Sequence, residues 1–64
     1  MIYKNDNHID KQYSVVNNLD AIGLWTIREF VNKVKKTELT LNSEEVTLFK
    51  NRLKDNGWYE YIHR

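Results

Sequence analysis

The sequence predicts an α+β domain, two main helices with a small antiparallel sheet, on three observations. Apolar residues between Asp20 and Lys36 recur at helical spacing. Asn42 and Glu45 form a capping signature ahead of a second apolar run. Trp58 to Ile62 alternates as a strand does.

In chain order, residues 1–18 are polar and Asn-rich, with β-favouring pieces at Ile2-Tyr3 and Gln12 to Val16 separated by the turn-prone Asn5-Asp6-Asn7. A short extended segment is expected there, with residues 1–11 the least constrained part of a single domain over 1–64. From Asp20, a candidate N-cap, Ile22, Trp25, Ile27, Phe30, Val31 and Val34 fall near i, i+3, i+4 positions opposite Arg28, Glu29, Lys33 and Lys36. The spacing predicts a first helix over 20–36, with Gly23 inside it because a ring such as Trp58 or another backbone comes close. The second helix, 43–55, starts after the Asn42/Glu45 capping box, with Leu41 and Val46 as its hydrophobic staple, and stops at Asn56-Gly57 with Trp58 returning onto Leu53. The terminal strand, 58–62, is expected to pair with 12–16 or with 38–40. Trp25, Phe30, Val46, Phe49, Leu53 and Trp58 form the predicted core.

Composition bounds the function. With 64 residues, 10 Lys+Arg against 9 Asp+Glu and a net charge of +1, there is no overall basic field to attract nucleic acid, so any such field must be local. The absence of cysteine removes a disulfide framework and a thiolate zinc site, and a cytoplasmic location fits that usage. No run approaches the roughly 18 apolar residues of a membrane span, and the first ten residues hold two acids and no apolar stretch, unlike a signal peptide. A core so small gains from association with a partner.

No nucleophile with its base, no paired-carboxylate motif and no Gly-rich phosphate loop stands out, so catalysis and cofactors are not expected. His8 and His63, with Asp6, Asp10 and Glu60, have no spacing that requires a metal. On the second helix, Glu44, Thr47, Asn51, Lys50 and Lys54 lie opposite the apolar face. There Asn51 has the chemistry for adenine and Lys50, Arg52 and Lys54 that for phosphates, while Glu44 and Glu45 oppose an anion. Lys33, Lys35 and Lys36 make the densest basic cluster, suited to phosphate or to the negative end of the first helix. Tyr59 and Tyr61 share one strand face, and outward aromatics there suit protein contact or base stacking.

The order Tyr13 to Asn18, then Ala21-Ile22-Gly23-Leu24, then Val46, Leu53 and Gly57-Trp58 resembles the N-terminal winged-helix domain of bacteriophage and mobile-element replication organiser proteins, across roughly residues 13–62. That family carries a further helix between the two, and only Thr37 to Leu41 separate Lys36 from Asn42 here, so the likeness is to a shortened form. The resemblance implies a helix-turn-helix fold and a role in DNA replication. Taken with the charge balance, the expected function is a non-enzymatic modulator that contacts a host or replication protein through Tyr59, Tyr61, Lys50, Lys54 and Thr47. A homodimer through the edge of the terminal strand is the simplest association. The alternative is a small DNA-binding factor using Asn51, Lys50, Arg52, Lys54, Lys33, Lys35 and Lys36, with weak affinity for nucleic acid.

Overall fold

The structure, a computed structural model, describes residues 1–62. It contains five strands and one helix: β1 Ile2–Lys4, β2 Lys11–Asn17, β3 Leu24–Val31, β4 Val34–Asn42, α1 Ser43–Asp55 and β5 Tyr59–Tyr61. The strands form one sheet in the order β4-β3-β2-β1-β5, antiparallel at every step. The first four strands are thus a meander, and the chain must then travel from the β4 edge to the far edge beside β1. Its 13-residue helix does this. A helix of that length is about 20 Å long, and four strand spacings of about 4.8 Å cover roughly 19 Å, so one helix suffices to cross the sheet and cover one face.

The expectation of two main helices is therefore corrected: the segment 20–36 is not helical but supplies β3, a two-residue turn and the start of β4. Two features of the sequence explain this. Trp25, Ile27 and Glu29 alternate with Thr26, Arg28 and Phe30, and β3 and β4 are rich in β-branched residues, which suit a pleated surface. Asn32 and Lys33 both have positive φ, 52° and 67°, as a type I′ hairpin turn requires. With α1 the only helix among the described residues, the helix-turn-helix pair of the sequence-based expectation is absent.

The second helix starts and stops as its local chemistry dictates. The Asn42 side chain accepts from the Glu45 N–H at 2.8 Å, and the Glu45 carboxylate accepts from the Asn42 N–H at 3.1 Å. At the other end Gly57 has φ +87°, the Gly57 N–H donates to the Lys54 carbonyl and the Trp58 N–H to the Leu53 carbonyl at 2.9 Å, a complete Schellman motif. The two N-terminal extended pieces are also as expected, now as β1 and β2. β5 departs from expectation by pairing with β1, through Tyr3↔Glu60.

Register assigns the faces. Tyr3↔Tyr13, Val15↔Ile27 and Trp25↔Leu41 are cross-strand pairs on the helix side. There Tyr3, Val15 and Ile27 are buried against Val46, Leu53 and Trp58, with Tyr13, Trp25, Leu41 and Phe49 packed around them. Phe30 is corrected out of this core, because it pairs with Gln12 and Lys35 at the opposite parity and faces away from α1. Gly23 is likewise corrected: a Cβ there would meet nothing within 4 Å, and its φ of +82° in the β2–β3 loop is the reason for glycine. No helix among the described residues is long and apolar enough to cross a membrane.

Candidate protein-binding surface

Among the described residues one helix covers one face of the sheet and no element covers the other. Period-two alternation places Ile2, Lys4, Phe30, Arg28, Tyr59 and Tyr61 on it: Ile2 pairs with Tyr61 and Ser14, Ser14 with Arg28, Arg28 with Glu38, and Lys4 with Tyr59 and Gln12. Tyr59 and Tyr61 are 44% and 40% exposed. The Lys4 ammonium sits 4.0 Å from the centre of the Tyr61 ring, within cation–π range. Tyr59 donates its hydroxyl to Asp6 Oδ1 at 3.2 Å, and this bond to a carboxylate raises the phenol above its ordinary pKa.

The charges on this face are largely compensated within the chain. Arg28 Nε lies 2.6 Å from Glu38 Oε1 and Lys35 Nζ 3.5 Å from the same oxygen. The hydrogen bond from Arg28, aided by the charge of Lys35, holds the Glu38 carboxyl below the usual carboxylate range. What remains is a mixed surface of aromatic rings between paired ions.

The helix side presents a different set. Tyr13 donates its hydroxyl to Glu29 Oε2 at 2.8 Å, and Lys11 Nζ lies 3.1 Å from that oxygen. Both bonds lower the Glu29 pKa, that of Tyr13 most, while the bond to Glu29 raises Lys11. His8, exposed as expected, stacks nearly parallel on Trp58 with centroids 5.9 Å apart. His63 lies outside the described residues.

The structure does not unite the residues that the sequence grouped as one protein-binding surface. Thr47, Lys50 and Lys54 are on α1, on the helix side, whereas Tyr59 and Tyr61 face away from it, so the sheet separates them. Thr47 donates its hydroxyl to the Ser43 carbonyl at 2.9 Å, and Lys50 Nζ sits 4.9 Å above the Trp25 ring. Asn51, Arg52 and Lys54 are exposed on α1. The Lys33, Lys35 and Lys36 cluster caps no helix: Lys33 is in the β3–β4 turn, Lys35 is paired with Glu38, and Lys36 is the unpaired residue where the β3–β4 register shifts. Sequence reading missed Phe30, Arg28 and Lys4 as surface neighbours of the tyrosines. Alternation through 24–31, read at period two, is the signal that finds Phe30 and Arg28. Comparison of the chain with family models, curated proteins and solved structures finds no match.

Proposed function

We propose that this chain is a non-enzymatic protein-binding module that receives a partner protein on the helix-free face of its sheet, with Tyr59 and Tyr61 as anchors. The observation that carries the reading is the placement of two half-exposed tyrosines on one strand, on the same open face as Phe30, Lys4 and Arg28. Tyrosine and arginine are enriched at interface centres: tyrosine buries a large ring on two side-chain torsions and still offers a hydroxyl, and arginine offers a planar fork of donors. Protein is favoured over nucleic acid by the charge pattern. Arg28 and Lys35 share Glu38, and Asp6 stands beside Tyr59, so Lys4, Arg28 and Lys35 against Glu38 and Asp6 leave a net of only +1 on this face, too little to release many counterions from a phosphate backbone.

The test is site-specific photocrosslinking in the cells that make the protein. A photoreactive residue replacing Val16 or Thr26, both on the open face, is expected to give a protein adduct of defined mass, and one replacing Lys54 is not. Tyr59→Ala with Tyr61→Ala should abolish the adduct while the far-ultraviolet circular dichroism stays at the parent's value. Adducts from Lys54 alone, or submicromolar duplex-DNA binding lost in the same double variant, overturn the proposal.

A further inference from the structure

Beyond that reading, the opposite edge of the sheet points to a second association. We infer that the chain forms a two-fold homodimer by antiparallel pairing of β4 with β4 of a second copy. β4 is the longest strand, nine residues, and stands at the end of the sheet order with no strand on its outer side among the described residues.

The backbone parity of that edge follows from the hydrogen bonds. The Asn18 N–H donates to the Leu24 carbonyl and the Asn32 N–H to the Asp10 carbonyl, so even-numbered residues along β3 turn their backbone groups toward β2. The odd-numbered Trp25, Ile27 and Glu29 therefore bond to β4 through their partners Leu41, Leu39 and Thr37. Glu38 and Thr40 are left with N–H and C=O groups directed outward.

Beside this edge, on the helix side, runs a groove of about 260 Å³ lined by Leu39, Leu41, Glu45, Leu48, Phe49 and Arg52. Leu39 and Leu48 are 42% and 66% exposed there. An edge with free backbone groups and an adjoining apolar strip is a template for another strand.

The sequence of β4 is complementary to itself when the two-fold axis passes at Leu39. Glu38 then exchanges both backbone hydrogen bonds with Thr40 of the second copy, and the reverse, without disturbing the Asn42 N–H already given to Glu45. Leu39 faces Leu39 in the close, non-hydrogen-bonded pair. Lys36 comes opposite Asn42 and so stands beside Glu44 at the helix start of the second copy, while Lys35 stays with Glu38 on the open face. Symmetry repeats this charge match at both ends. A slip of two residues toward the N-terminus sets Glu38 against Glu38, which repulsion disfavours. A slip the other way leaves only the Thr40 pair free of the capping bond. Lys36, which has no helix end to cap in this fold and no register partner on β3, thereby gains an anionic counterpart.

Sedimentation equilibrium on the full chain tests this. The parent, 7.8 kDa as a monomer, is expected to show twice that mass at high concentration, with weaker association as salt rises. Thr40→Pro removes an N–H that points away from β3, and Leu39→Lys places a charge at the two-fold axis. Each should weaken dimerisation at least about tenfold, the equivalent of roughly 1.4 kcal/mol. Glu44→Lys should weaken it too, and Lys36→Glu added to Glu44→Lys should restore it. Should Thr40→Pro fail to fold, this charge exchange decides the question. A parent that stays monomeric up to about 0.5 mM, or a Leu39→Lys variant that dimerises like the parent, overturns the inference. Tyr59→Ala with Tyr61→Ala is expected to remain dimeric, so failure of the open-face reading and failure of this one give different results.

Discussion

The side-chain amide of Asn5 donates a hydrogen bond to the carbonyl of Asn56 at 3.0 Å, tying the loop after β1 to the residue that caps α1. Asn5 is 4% exposed and its Oδ1 accepts the Asn7 N–H at 2.9 Å, so the same side chain shapes its own loop. It also satisfies one carbonyl that a helix end otherwise leaves without a partner. Asn5→Ala is expected to cost about 1–3 kcal/mol, because a buried side chain and both of its hydrogen bonds are lost. Asn5→Asp keeps the acceptor but sets a carboxylate against the Asn56 carbonyl, so it should be at least as damaging at neutral pH. Denaturant midpoints of the two variants check both statements, and a parental midpoint for Asn5→Ala contradicts them.

The β3–β4 turn carries a testable strain. Lys33 sits at φ +67°, a conformation that costs a residue with a Cβ roughly 1–2 kcal/mol relative to glycine. Lys33→Gly would produce the Asn-Gly pair preferred by type I′ turns. A stability gain of up to about 1 kcal/mol is expected, limited by the greater freedom of glycine in the unfolded chain. The converse changes, Gly57→Ala and Gly23→Ala, should each cost about 1–2 kcal/mol through backbone conformation alone. The nearest atom to a Cβ at Gly57 is Asn5 Nδ2 at 3.6 Å, and none is near at Gly23. Thermal melts of the three variants decide the signs.

That turn also explains what could be read from the sequence and what could not. α1 was legible to the residue because both of its ends are local chemistry: Asn42 with Glu45, and Gly57 with Trp58 folding back onto Leu53. The β3–β4 hairpin was not, because its turn is Asn-Lys rather than Asn-Gly. Ile22, Trp25, Phe30 and Val34 also satisfy helical spacing by coincidence. The register shift beside Lys36 then breaks the alternation that would have betrayed β4. Period two was enough to place Tyr59 and Tyr61 on one face. That this face looks outward follows from Trp58 in the core; the partner strand was hidden, since β5 reaches β1 and sets Glu60 opposite Tyr3.

The two faces of the sheet should respond differently to truncation. Leu53 is 6% exposed among Tyr3, Val46 and Trp58, so Leu53→Ala is expected to cost about 2–5 kcal/mol, the lost transfer energy plus the cavity, and to leave a domain of this size largely unfolded. Phe30 lies on the open face and touches no part of that core cluster. Phe30→Ala should remain folded with a cooperative melt. Equal losses in the two variants would return Phe30 to the core.

Acid should destabilise the fold through Glu29 in particular. Its carboxylate accepts from Tyr13 at 2.8 Å and pairs with Lys11 at 3.1 Å, and its side chain is 20% exposed. These bonds stabilise the ionised form, so the folded pKa lies below that of the unfolded chain. A depressed acid contributes stability that is fully present above its unfolded pKa, about 4.3, and is lost as pH falls through the folded value. Tyr13 and Lys11 act at the other end. Burial first, and then the bond to Glu29, raises Tyr13, and the same bond raises Lys11, so their contributions hold at neutral pH and fade as pH climbs past about 10. Stability should thus show a plateau between these limits. Lys11 is 34% exposed on its side chain, so solvent screening keeps the ion pair small and the acid limb should amount to no more than about 1 kcal/mol. Glu29→Gln retains an acceptor for Tyr13 and removes the titration, so its denaturation midpoint should fall less than the parent's between about pH 6 and pH 3. Glu38 titrates in the same direction but is exposed, and Glu38→Gln should leave the parent's acid limb nearly intact. An acid limb unchanged by Glu29→Gln and flattened by Glu38→Gln would assign it to the Arg28–Glu38 pair on the open face instead.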